Sequence, residues 1–259
     1  MKNVTVCGAL LLACSCAAPP GVTVEHFGVM REVMMEGKTE ARVALADYEK
    51  PGFYGVGALA GLEGEVLIYS GLVLVARGRT SDVRSGAADR ATLLTVAHVD
   101  SWREIALPDG DDLEGIGSAI AAALPESAHK DAAPVPFLVE GTFTRLALHV
   151  VRGACPHAAT SPETEPDRWN SDASAAPSVV VAVGFYAPGR AGVMTHHGTS
   201  VHAHAAVLPD GDLLHPMSIR PGAPLSSRSA TAAPSELLFM GHVDSLVCGP
   251  RTKLFVPAR

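Results

Sequence analysis

GFYGVGALAGLEGEVLIYSGLVLVAR (residues 52–77) is the stretch that decides the fold. Glycines at 52, 55, 57, 61, 64 and 71 punctuate the apolar runs Val66–Tyr69 and Leu72–Val75, the pattern of paired strands joined by tight turns. Thr92–Val99, Phe137–Val151 and Ser178–Tyr186 read as further strands. Two segments have helical spacing instead. Val24–Gly37 places Phe27, Met30, Val33 and Met34 on one face and stops at Gly37. Leu113–Leu124 carries the apolar row Ile116, Ile120 and Leu124, with Asp111 or Asp112 as its cap, although Gly115 and Gly117 disfavour a helix. Residues 156–177 and 220–234, rich in Pro, Ser, Thr and Ala, read as surface loops. The chain shows no repeat of fixed period. These elements predict an α+β fold that is mostly β, with mixed or antiparallel sheets, a few helices and a single domain.

A chain of 259 residues with 47% hydrophobic side chains can fill one sizeable core. Its net charge of −7 argues against a nucleic-acid partner, which calls for a basic surface. Residues 1–18 read as an export signal: Lys2 gives a positive start, Val4–Ala13 an apolar run, and small residues follow. The run is too short to span a bilayer as a helix. Leu11-Leu12-Ala13-Cys14 resembles the lipobox of a bacterial lipoprotein, with cleavage before Cys14 and a lipid anchor on it; ordinary cleavage near Ala17 or Ala18 is the other ending. The expectation is an exported protein, anchored as a lipoprotein or periplasmic, with residues 19–259 as the mature domain. Cys155 and Cys248 are the cysteines beyond the leader. An oxidising compartment allows them to pair, and sequence does not decide it.

The chemistry concentrates in Thr195–His204, which holds four of the eleven histidines. In an extended strand His202 and His204 point to the same face. Two imidazoles there can hold one divalent metal. His215, after the turn Pro209-Asp210-Gly211-Asp212, would complete a three-histidine site with a coordination position left open. The plainer reading is a half-exposed polar strand. His242, in Gly241-His242-Val243-Asp244, is the alternative third ligand, with Asp244 orienting an imidazole from behind. Glu65 stands where a tight turn enters an apolar strand, as a surface turn residue or as a buried acid/base group. Arg152 is a candidate for gripping a carboxylate, and His149 reads first as a structural histidine. No Walker loop, GxSxG elbow or HExxH helix is present, which disfavours the common hydrolases and nucleotide enzymes.

Gly55–Glu65 resembles the GxGxxxxLDGE segment of α-acetolactate decarboxylases, with Glu63 in place of the aspartate. The resemblance implies that family's single-domain fold and puts Glu65 in its active site. His202-Ala203-His204 resembles the family's HxH pair. By spacing, His215 takes the place of its third zinc-binding histidine, while Gly241–Asp244 carries the letters of the family's GGHVxD segment. The family's arginine follows an F-x-x-V-x-x-R strand, and counting from Phe143 puts His149 there. Its second glutamate, near the C-terminus, corresponds at best to Glu236. Lys253–Pro257 resembles the last strand. What this implies is a Zn2+-dependent lyase that converts α-acetolactate to acetoin, acting on a small 2-hydroxy-3-keto acid, with a homodimer as the expected assembly. A non-catalytic or repurposed metal- or ligand-binding envelope lipoprotein on the same scaffold is the alternative.

Overall fold

The computed structural model describes residues 22–78, 83–124, 133–154, 161, 163–172, 179–208, 239–250 and 252–258. Among these residues the strands form two seven-stranded antiparallel sheets. The first contains β1 (Val22–Phe27), β2 (Val43–Ala44), β3 (Phe53–Leu59), β4 (Glu65–Tyr69), β5 (Leu72–Ala76), β6 (Val83–Ser85) and β7 (Arg90–Val99). Its order is β1-β7-β3-β4-β5-β6, with β2 also on β7. The second contains β8 (Trp102–Ile105), β9 (Val135–Val150), β10 (Asp167–Asp172), β11 (Val179–Tyr186), β12 (Val201–Leu208), β13 (Phe239–Cys248) and β14 (Lys253–Pro257). Here β9 is long enough to pair with β13 and β10 through one half and with β11 and β14 through the other. Because β11 also pairs with β12, the path β11-β12-β13-β9 closes on itself.

The two sheets share one core. Tyr54, Val56, Leu67, Tyr69 and Leu74 of the first sheet pack with Phe137, Leu148, Val183 and Val243 of the second. A second cluster, with Leu45, Val66, Ile68, Val75 and Leu94, fills the opposite face of the first sheet. With both faces covered, β4 and β5 need no polar alternation, which is why Val66–Tyr69 and Leu72–Val75 are continuous apolar runs. Helix α2 (Leu113–Ala123) starts as its sequence dictates, Asp112 Oδ1 accepting the N–H groups of Glu114 and Gly115 at 2.9 and 3.0 Å. Gly117 lets it sit close: a Cβ there would lie 3.1 Å from Val201 Cγ2.

Two expectations need correcting. Val24–Gly37 is not one helix, since Val22–Phe27 pairs residue by residue with Leu94–Val99 and only Met30–Glu36, α1, is helical. Gly28, at φ +80° and with Thr92's carbonyl where a Cβ would be, makes the break, and Gly37 ends α1 in the left-handed conformation. Within residues 156–177, Asp167–Asp172 forms β10, a polar strand on β9 whose Trp169 stacks on Phe239. Polar composition suits a strand paired on one side. The loop expected at 220–234 lies outside the described residues.

Gly64 has φ +154°, and a Cβ on it would stand 2.0 Å from the carbonyl oxygen of Ala76. Gly64→Ala is expected to lower the unfolding free energy by about 2–4 kcal/mol, through backbone strain and displacement of β5. Urea denaturation checks this, and an unchanged midpoint would mean that the turn yields freely.

Candidate metal centre

Strand β4 alternates between the two cores: Val66 and Ile68 point away from the second sheet, Leu67 and Tyr69 towards it. Period two therefore turns Glu65 to the second sheet, where it is 4% exposed. The turn that delivers it is held from outside. Arg77 pairs with Glu63 and, at 2.7 Å, with Asp89.

The second sheet supplies the imidazoles through register. His204 on β12 stands directly opposite His242 on β13, His242 opposite His149 on β9, and His149 opposite Arg168 on β10. Directly opposed residues share a sheet face, so four strands place these side chains in one row. His202, two residues before His204, joins the same face. Beyond His242 the pairing slips. Val243 faces Leu148 and Ser245 faces Ala147, which leaves Asp244 as the extra residue of a bulge. Its carboxylate reaches back to the row, accepting from His149 Nδ1 at 2.7 Å and from Arg168 at 3.4 Å.

One ring nitrogen from each of His202, His204 and His242 lies within 4.8 Å of the other two. His202 Nδ1 donates to the carbonyl of Met194 at 2.9 Å, which leaves the lone pair on Nε2, 3.2 Å from His204 Nε2. Glu65 Oε2 is 3.6 Å from that same His204 nitrogen, and Oε1 accepts the N–H of Val151 at 3.3 Å. The ring of His196, from the loop before β12, lies 4.9 Å from that of His242. Burial pushes the His202 pKa down to about 3 and those of His204 and His242 well below the ordinary imidazole value, and the neighbouring imidazoles add to the effect. Burial also pushes Glu65 up, to about 7, against the pull of His149. The three imidazoles are thus neutral, with nitrogens converging at a spacing where two lone pairs need a cation or proton between them. This donor set fits a divalent first-row ion.

A three-histidine group and a buried carboxylate, held between antiparallel sheets, define a β protein with a candidate metal site. The sequence profile of the alpha-acetolactate decarboxylase family matches residues 27–206. The chain belongs to that family. No curated protein matches its sequence. Among solved structures it resembles the alpha-acetolactate decarboxylase of Bacillus subtilis at 17% identity and a TM-score of 0.59, covering 90% of this chain and 83% of that one. The acetolactate decarboxylase of Bacillus subtilis subspecies spizizenii is similar at 16% identity and a TM-score of 0.58, over 91% and 86%. A Staphylococcus aureus protein of unknown function, similar to alpha-acetolactate decarboxylase, matches at 13% identity and a TM-score of 0.58, over 90% and 84%. At these identities the likeness speaks for the fold.

The structure thus brings His202, His204 and Glu65 together, and adds His242. His215 and Glu236 lie outside the described residues, as does Cys155; Cys248 is a buried thiol that burial pushes up to about 12. Arg152 lies two residues past β9, its guanidinium 3.6 Å from Asp167 and its side chain 40% exposed. From β9 itself His149, 5% exposed, reaches the histidine cluster. The sequence did carry a signal for it, since counting from Phe143 put His149 at the family's arginine position.

Metal-free protein should lose stability in mild acid. His202 stays neutral in the fold but takes a proton near pH 6.5 when unfolded, so its contribution is complete above about 6.5 and is lost as pH falls. Glu65 opposes this: its raised pKa gives stability that is complete below its ordinary value and lost as pH rises through about 7. Three histidines outweigh one carboxyl. A fall of about 1–3 kcal/mol per pH unit between roughly pH 6 and 5 is expected. Thermal unfolding at stepped pH measures it, and a flat profile would contradict neutral buried imidazoles.

Proposed function

We propose that this protein decarboxylates α-acetolactate to acetoin, with a divalent ion, Zn2+, held by His202, His204 and His242. The observation that carries this reading is the convergence of three neutral imidazoles beside a buried carboxyl on the fold of the decarboxylase family. When bound, the ion would supply Lewis acidity to the adjacent hydroxyl and keto oxygens of the substrate. The chain's own residues do the rest.

Glu65 manages the proton. At about 7 its pKa lets it carry one at neutral pH and give it up within the same cycle. Breaking the bond between the α-carbon and the carboxylate releases CO2 and leaves the electron pair on the substrate as an enolate that keeps its neighbouring hydroxyl proton. A proton from Glu65 returned to carbon gives acetoin, and water restores the carboxyl. The Val151 N–H fixes Oε1, so Oε2 is the oxygen left to face the histidines. The packed sheets around Glu65, His202 and His204 exclude bulk water, which keeps the proton from being exchanged away. Arg152, the candidate for gripping the substrate carboxylate, keeps a partly exposed guanidinium 3.6 Å from Asp167. The leader at residues 1–18, with Cys14 as anchor, would place this chemistry outside the cytoplasm.

Zinc-loaded protein should release acetoin from racemic α-acetolactate faster than the spontaneous reaction. His242→Ala and His202→Ala are expected to lose at least about 100-fold in kcat/KM together with zinc, and Glu65→Gln about 100- to 10,000-fold with zinc retained. His215→Ala should leave both nearly unchanged. Loss of zinc in His215→Ala but not in His242→Ala would reverse the assignment of the third ligand.

A further inference from the structure

The loop before β12 carries a histidine that the three-histidine group does not include. His196 lies between Thr195, whose hydroxyl donates to the carbonyl of Thr199 at 2.7 Å, and the exposed His197. The loop is pinned from two sides. The carbonyls of Gly192 and Val193 accept the N–H groups of Arg31 and Met30 at 2.8 and 3.1 Å, and that of Met194 accepts from His202 Nδ1. So held, it sets the His196 ring 4.9 Å from that of His242 and 6.0 Å from that of His202.

These are the spacings of ligands around one ion. With a Zn–N bond of about 2 Å the ion lies about 3.2 Å from each ring centre, so two tetrahedral ligands have ring centres about 5 Å apart. The rings of His202, His204 and His242 are 5.1, 5.1 and 5.4 Å apart and cross at 53–88°. His196 crosses His242 and His202 at 69° and 74°. His149 also has its ring 4.9 Å from that of His242, but as its cross-strand partner, and with Nδ1 engaged by Asp244. No strand pairing brings His196 to the group.

We propose that His196 is a fourth, replaceable ligand of the ion held by His202, His204 and His242. This rests on the three-histidine site above, and its replacement by substrate on the decarboxylase reading. Three imidazoles leave a coordination position open, and a fourth closes it. His196 stands outside the three whose nitrogens lie within 4.8 Å of one another, and it alone of the four is carried by a loop. It is therefore the ligand that can leave, and the substrate's hydroxyl and keto oxygens enter where it does.

The test uses the full chain loaded with one Co2+, whose visible absorption reports its ligands. His196→Ala is expected to alter the visible band, to bind Co2+ at least about tenfold more weakly, and to regain the wild-type band when free imidazole is added. His197→Ala should keep band and affinity. Saturating 2,3-dihydroxy-2-methylbutanoate, an unreactive acid, is expected to bring the wild-type and His196→Ala spectra together, because the ligand in which they differ has left. Band and affinity unchanged in His196→Ala overturn the assignment. Spectra that stay apart in the acid overturn the replacement, while acetoin release by the wild type keeps the decarboxylase reading intact. Should His196→Ala fail to fold, X-ray absorption of the zinc-loaded wild type is expected to count four imidazoles without the acid and three with it; three throughout overturns the proposal. Wild-type protein that takes up no metal, or a His242→Ala variant that binds Co2+ as the wild type does, overturns the three-histidine site and the proposal with it.

Discussion

The site depends on one registration, the antiparallel pairing that sets His204 directly against His242. A slip of one residue between β12 and β13 would turn one histidine to the far side of the sheet, because side chains alternate with period two. The core holds that register: Ala203, Ala205 and Val207 of β12 and Met240 and Val243 of β13 are buried in it. The same alternation that buries these apolar residues places the imidazoles together. Packing and chemistry are thus set by a single constraint.

Burial then supplies the electrostatics. Charged imidazoles and a carboxylate are both disfavoured between the sheets, so the histidines are driven neutral and Glu65 is driven towards its protonated form. Unpartnered, such a group would be a liability to the fold, since two imidazole nitrogens 3.2 Å apart gain nothing from each other without something between them. The arrangement makes sense as a receptor for a cation. From the first sheet, Glu65 enters this region while the residues that follow it, Val66 to Ile68, are apolar and buried.

Much of this was legible in the sequence. Glycine punctuation in residues 52–77 marked β3, β4 and β5, and the His202–His204 alternation marked one face of β12, because both signals are local. The choice between His215 and His242 was not legible, because residues 209–238 lie between β12 and β13 and only strand register sets what faces His204. His215 lies outside the described residues, while Gly241, beside His242, is required where it stands: a Cβ would lie 2.4 Å from the carbonyl of His149. Likewise the helix read over Val24–Gly37 failed at its start because pairing with β7, a contact some seventy residues away in sequence, overrides local periodicity.

The bulge at Asp244 is where local and global requirements part. Regular pairing through that position would give another opposed pair, with the carboxylate on whichever face the alternation dictated. The extra residue instead turns Asp244 back onto His149, and Arg168 on the neighbouring strand completes the bridge. A bulge interrupts ladder hydrogen bonding, and here the extra residue sits two positions past a candidate metal ligand. The bulge thereby ties β13, β9 and β10 together through Asp244, His149 and Arg168, directly beside the three-histidine group.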